Sequence, residues 1–183
     1  TDYRVTTAGP FSGDGRAVGP LVYAGHGLYS PEARWNDFAR GSSVRGRIAV
    51  VLSGPPRPTD PARIESLRRA NVHGTVIGKV RAARDRGAVA VILIDLDRGA
   101  PPAWFIDTPS RGIPVVRISR AQGAWLLGVP EASLVPETAE TAPRRITTGT
   151  ARVEVHTRPH TITTANVLGV VRARATDGGT PPP

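Results

Sequence analysis

Near-continuous apolar runs occur at three places in the chain: VRGRIAVVLSGPP from Val44 to Pro56, GAVAVILIDL from Gly87 to Leu96, and GIPVVRIS from Gly112 to Ser119. Runs of this length, bounded by glycine and proline, predict strands buried on both faces. In the first run Ile48, Val50 and Leu52 point one way and Ala49 and Val51 the other, with Arg45 and Arg47 around Gly46 forming the entering turn. Ahead of the second run, Val76, Ile77, Val80 and Ala83 recur at helical spacing. That spacing predicts a helix capped by Thr75, running to about Arg86 and stopped by Gly87.

Weaker signals fill in the rest. Asp60 followed by Pro61 is an N-cap with proline at the first helical position, and Ile64 and Leu67 give that helix one apolar stripe, ending near Asn71. Ser119 with Gln122 has capping-box spacing. It opens a third helix whose apolar face is Trp125, Leu126 and Leu127 and whose end is marked by Gly128 and Pro130. Leu21–Gly27 reads as a short strand, Arg152–His156 alternates like a half-buried one, and Thr161–Val171 reads as a last strand. Residues 1–16 are expected to be a flexible arm, 97–112 a long loop, 136–150 a loop of low hydrophobicity, and 172–183 a disordered tail.

Composition narrows the picture. At 183 residues and 39% hydrophobic, the chain suffices for one well-cored domain. Cysteine is absent, which removes disulfide and thiol chemistry, and no apolar run approaches the roughly 18 residues of a membrane span. The chain has no methionine, so Thr1 is not a translation start and a longer precursor is expected. The net charge is +9, yet Lys79 is the only lysine among 24 basic residues. The arginines are scattered and aromatics are only 5%, which argues against a nucleic-acid partner and for a compositional bias toward arginine.

Taken in order, GPLVYAGHGL, WNDFARG, VRGRIAVVL, RAARDRGAVAVILID and IPVVRISRAQGAWLL resemble a protease-associated (PA) domain. The resemblance is to the one inserted in zinc-dependent aminopeptidases related to glutamate carboxypeptidase and the transferrin receptor. It covers about Ala17 to Val171, and TTANVLGVV resembles the return from the insert into the peptidase. It implies a mixed α/β fold: a strand-rich open barrel or sandwich with about three flanking helices, with the termini close together. It implies a non-catalytic domain that covers a peptidase active site, with the peptidase domain of the same polypeptide and a peptide or protein substrate as partners. No membrane partner is implied, and the location is extracellular or at the cell envelope. Two zinc ions would belong to a peptidase domain beyond this chain, of which the chain would be a fragment. The alternative is a free-standing protein-protein interaction module.

The residues agree that this chain carries no zinc centre. The family pattern pairs His-x-Asp with adjacent glutamates. Here none of His26, His73, His156 and His160 is followed two residues later by Asp, and all six glutamates are isolated. His156 and His160 have helical ligand spacing, but Pro159 and the preceding alternation make the segment a strand or turn. No Gly-x-Ser-x-Gly elbow occurs. The expectation is therefore no catalytic residue, no metal site and no cofactor in this chain. Candidate contacts to a substrate or partner are Trp104, Phe105 and Arg111 in the long loop, and Trp35 beside Phe38 in an earlier one. The aromatics pack either on such a partner or on the domain's own core. Arg111 and Arg117 either meet a substrate carboxylate or are ordinary surface arginines.

Overall fold

The runs at 48–52 and 90–94 are adjacent parallel strands, and every residue of both is buried. The computed structural model describes residues 6–7, 12–38, 43–69, 74–96, 112–134 and 145–156. In chain order these form strands β1 (Thr6–Thr7), β2 (Gly15–Tyr23), β3 (Tyr29–Ser30), β4 (Trp35–Asn36) and β5 (Ile48–Leu52). Helices α1 (Pro61–Arg69) and α2 (Val76–Arg84) come next, then β6 (Ala90–Ile94), β7 (Val115–Ile118), α3 (Arg120–Leu127), a 3-10 turn at Glu131–Ser133, and β8 (Arg145–Val155).

The main sheet has the order β1-β7-β6-β5-β2-β8, and β3 and β4 form a separate small hairpin. β2, β5, β6 and β7 run parallel, while β1 and β8 pair antiparallel at the two sides. The sheet curls, so that β7 and β8 come into contact although three strands separate them in the order. This mixed α/β half-barrel with three helices agrees with the architecture expected of a PA domain.

Strict alternation sorts the core into two layers. Ile48, Val50, Leu52, Ala90, Ile92 and Ile94 face one way, toward Tyr23, Val116, Val153, Val155 and α3. Ala49, Val51, Val91 and Leu93 face the other, against Val80 and Ala83 of α2. The division of Ile48–Leu52 between faces is the one its sequence predicts.

The helix ends also follow the sequence. The Asp60 carboxylate accepts from the Ala62 amide, and Thr75 Oγ1 accepts from the Gly78 amide. Ser119 and Gln122 form the reciprocal capping box. Replacing Ser119 by alanine is expected to cost about 1 kcal/mol in a denaturant titration. A change below a few tenths would mean that the cap is redundant.

Several boundaries move. β2 begins at Gly15, six residues before the expected strand, and Thr6–Thr7 pair with β7, so parts of the expected arm belong to the sheet. β8 begins at Arg145, within the stretch expected to be a loop. The sequence signal is weak here because the buried positions that open β2 are the small Ala17 and Gly19, while the bulkier Val18 is exposed. The register between β2 and β8 also shifts between Pro20 and Val22, where proline brings no amide to the ladder. In α3 the expected aromatic face is wrong at Trp125, which is 71% exposed. The helix sits down instead on Gly123 and Ala124, and a Cβ on Gly123 would come within 2.5 Å of Ile94. Ile64 of α1 is exposed and only Leu67 is buried. The long loop up to 111, the strand at 161–171 and the tail at 172–183 lie outside the described residues.

Candidate functional site

In open parallel sheets, polar groups collect beyond the carboxyl ends of the strands, where the chain leaves the sheet and its hydrogen-bonding groups need new partners. Two such clusters occur here. The first ties three strands together. Ser53 follows β5 and Asp95 follows β6. The Ser53 hydroxyl donates to Asp95 Oδ1 at 3.3 Å and accepts from the Leu96 amide at 2.9 Å. Arg117 of β7 closes the cluster through Nη2 to Asp95 Oδ2, and both side chains are largely covered. A charge-assisted pair of this kind holds the strand ends in register. Arg117, read from the sequence as a possible carboxylate partner, is engaged here with the chain's own carboxylate.

The second cluster surrounds the turn Ala24–Leu28. His26 is fully buried and its Nδ1 lies 3.2 Å from the Gly54 carbonyl. Gly27 adopts φ +63°, and a Cβ there would meet Val51 Cγ1 at 2.7 Å. Asp37, just after β4, accepts from the Leu28 amide at 3.0 Å and from Trp35 Nε1 at 2.9 Å. From α2, Lys79 reaches into the same region, fully buried, and its Nζ donates to the His26 carbonyl at 2.5 Å.

Burial sets the electrostatics of this cluster. It pushes the Lys79 ammonium down from its ordinary 10.5 to about 7, against the opposing pull of the Asp37 carboxylate. Burial also raises Asp37 above the usual carboxylate range, although the Leu28 amide, the Trp35 indole and Lys79 all favour its charged form. Two arginines stack on the aromatic rings of this segment. Arg63 lies over the Trp35 ring at 5.3 Å, and Arg86 lies over Tyr29 at 3.9 Å and Phe38 at 5.0 Å.

Of the contact residues expected from the sequence, Trp35 is buried with Leu28 and Leu67 and anchors the small hairpin to α1. Trp104, Phe105 and Arg111 lie outside the described residues. Sequence reasoning passed over Lys79 and Asp37. For Lys79 a signal was present: Val76, Lys79, Val80 and Ala83 are spaced i, i+3, i+4, i+7, so the lysine lies on the helix's own inward stripe. Ile77, expected on that stripe, is exposed.

Among the described residues, no group of three or more His, Asp or Glu side chains is placed to hold a metal ion, and no helix is long and apolar enough to cross a membrane. What both clusters do chemically is fix backbone segments at one end of the sheet.

A family model described as PA domain matches residues 17–126. Among solved structures, the chain is similar to the aminopeptidase from Aneurinibacillus sp. strain AM-1, at 22% identity and a TM-score of 0.46 over 84% of this chain. It is also similar to a zinc aminopeptidase from Bacillus subtilis, at 23% identity and a TM-score of 0.39 over 68% of this chain. The match covers 27% of the length of each of those proteins. No curated protein matches.

Proposed function

The chain belongs to the PA domain family, and from that premise we infer that it is the non-catalytic accessory domain of a zinc aminopeptidase-like protein. In that role it lies over the active site of a peptidase domain in the same polypeptide and governs which peptides reach it. The observation that carries this reading is the family match across residues 17–126, the span that holds β5, β6 and the whole layer packed against α2. The order of the five sequence strings that resemble the aminopeptidase insert adds to it. The polar groups at the strand ends, from Ser53 and Asp95 to His26 and Lys79, are engaged in holding the domain's own turns and strands. The zinc belongs to the peptidase domain, and the location is extracellular or at the cell envelope.

The test is the intact mass and metal content of the full native gene product. The expected result is a mass well above 19.3 kDa with about two zinc ions per chain, the number a co-catalytic site holds. A mass near 19.3 kDa with no metal would overturn the reading and leave a free-standing protein-binding module.

A further inference from the structure

The cluster around Lys79 does more than fill space. An amine with no exposed surface sits where four parts of the fold converge: α2, the turn Ala24–Leu28, the segment after β4, and the apolar face of β5 and β6. We propose that Lys79 is a proton-operated latch on residues 24–38: proton uptake by its amine loosens this segment from α2, and proton loss tightens it.

The argument rests on what surrounds the amine. It donates to the His26 carbonyl, at the apex of a turn that Gly27 presses against Val51. Among the described residues, the charge that acts on it is the Asp37 carboxylate just after β4, while Arg63 and Arg86 are stacked on the rings of Trp35, Tyr29 and Phe38. The His26 imidazole is turned toward the Gly54 carbonyl. β5 and β6 offer only Ala49, Val51, Val91 and Leu93 to this face until the Asp95–Arg117 pair beyond their ends. On α2 itself, Arg81 and Arg84 are exposed. A charged ammonium is thus enclosed by apolar walls with one carboxylate opposite.

If the segment lifts away, water solvates the ammonium and its affinity for a proton returns to the ordinary value. The open form therefore holds its proton up to about pH 10.5, whereas the closed form gives it up near pH 7. Between those limits each unit of falling pH favours opening by about tenfold. Asp37 acts in the opposite sense at acid pH, because its raised affinity for a proton favours the closed form there. The segment is then held least firmly from neutrality down to the onset of Asp37 protonation. This device does not depend on whether a peptidase domain is attached.

The experiment uses the 183-residue chain labelled at the lysine Cε. Because the chain has one lysine, the label gives a single resonance to titrate by NMR. Hydrogen exchange of the Leu28 and Asp37 amides, which bridge the hairpin, is followed in parallel. The expected midpoint is near 7. Protection of both amides, corrected for intrinsic exchange, should rise about fiftyfold from pH 7 to pH 9. In Lys79→Met the protection should not change over that range. A lysine midpoint near 10.5 would overturn the latch, and so would amide protection that ignores pH in the wild type or keeps its slope in the variant.

Discussion

Lys79→Met is expected to change its effect on stability from favourable to unfavourable as the solution is made alkaline. In the wild type the folded state binds a proton at Lys79 only below about pH 7, while the unfolded chain holds it to about 10.5. Within that window the unfolded state carries more protons, so stability rises with pH. Methionine fills a similar volume and does not titrate. The difference between the two proteins should therefore swing by about 3.5 kcal/mol between pH 7 and pH 10. At the alkaline end the variant loses one hydrogen bond and leaves the His26 carbonyl without that donor, a cost of about 1–3 kcal/mol. At pH 7 it should then be the more stable protein by a similar margin. Denaturant titrations at both pH values check this. A constant difference at the two would show that Lys79 is charged throughout, or solvated.

Gly27→Ala should be destabilising by roughly 2–4 kcal/mol. About 1–2 kcal/mol comes from holding an L-residue at φ +63°. The remainder comes from forcing a methyl to within 2.7 Å of Val51 Cγ1 in a packed layer. The two parts separate in a double-mutant cycle. Combined with Val51→Ala, which removes the crowded methyl, Gly27→Ala should cost less than it does alone by about 1 kcal/mol or more. Strictly additive losses would mean that the turn, rather than the contact, carries the whole effect.

The parts of this fold that were legible in the sequence are those where local chemistry and tertiary burial agree. Ile48–Leu52 and Ala90–Ile94 are apolar at every position because both faces are covered, and their alternation assigns each side chain to its layer. Ser119, Thr75 and Asp60 cap their helices as their side chains dictate.

Legibility fails where one face is open or where a small residue makes the contact. β2 and β8 alternate too weakly to announce nine and eleven residues of strand. α3 was expected to bury its bulkiest side chain, but the close approach to Ile94 is made by Gly123, whose lack of a side chain gives no hydrophobic signal. The candidate site was the least legible. A lysine is ordinarily assigned to solvent, and only its phase on the helix stripe, together with a carboxylate 42 positions earlier in the chain, tells otherwise.

The burial of Lys79 also decides how the outside of the molecule can be altered. It is the only lysine, and it is enclosed, so the positive surface is built from arginine. Guanidinium groups keep their charge across the whole biological range. Acetylation, methylation or ubiquitin-type conjugation of lysine finds no exposed target while the segment is closed, and the arginine charge outside stays constant over the same alkaline interval in which the interior exchanges its proton.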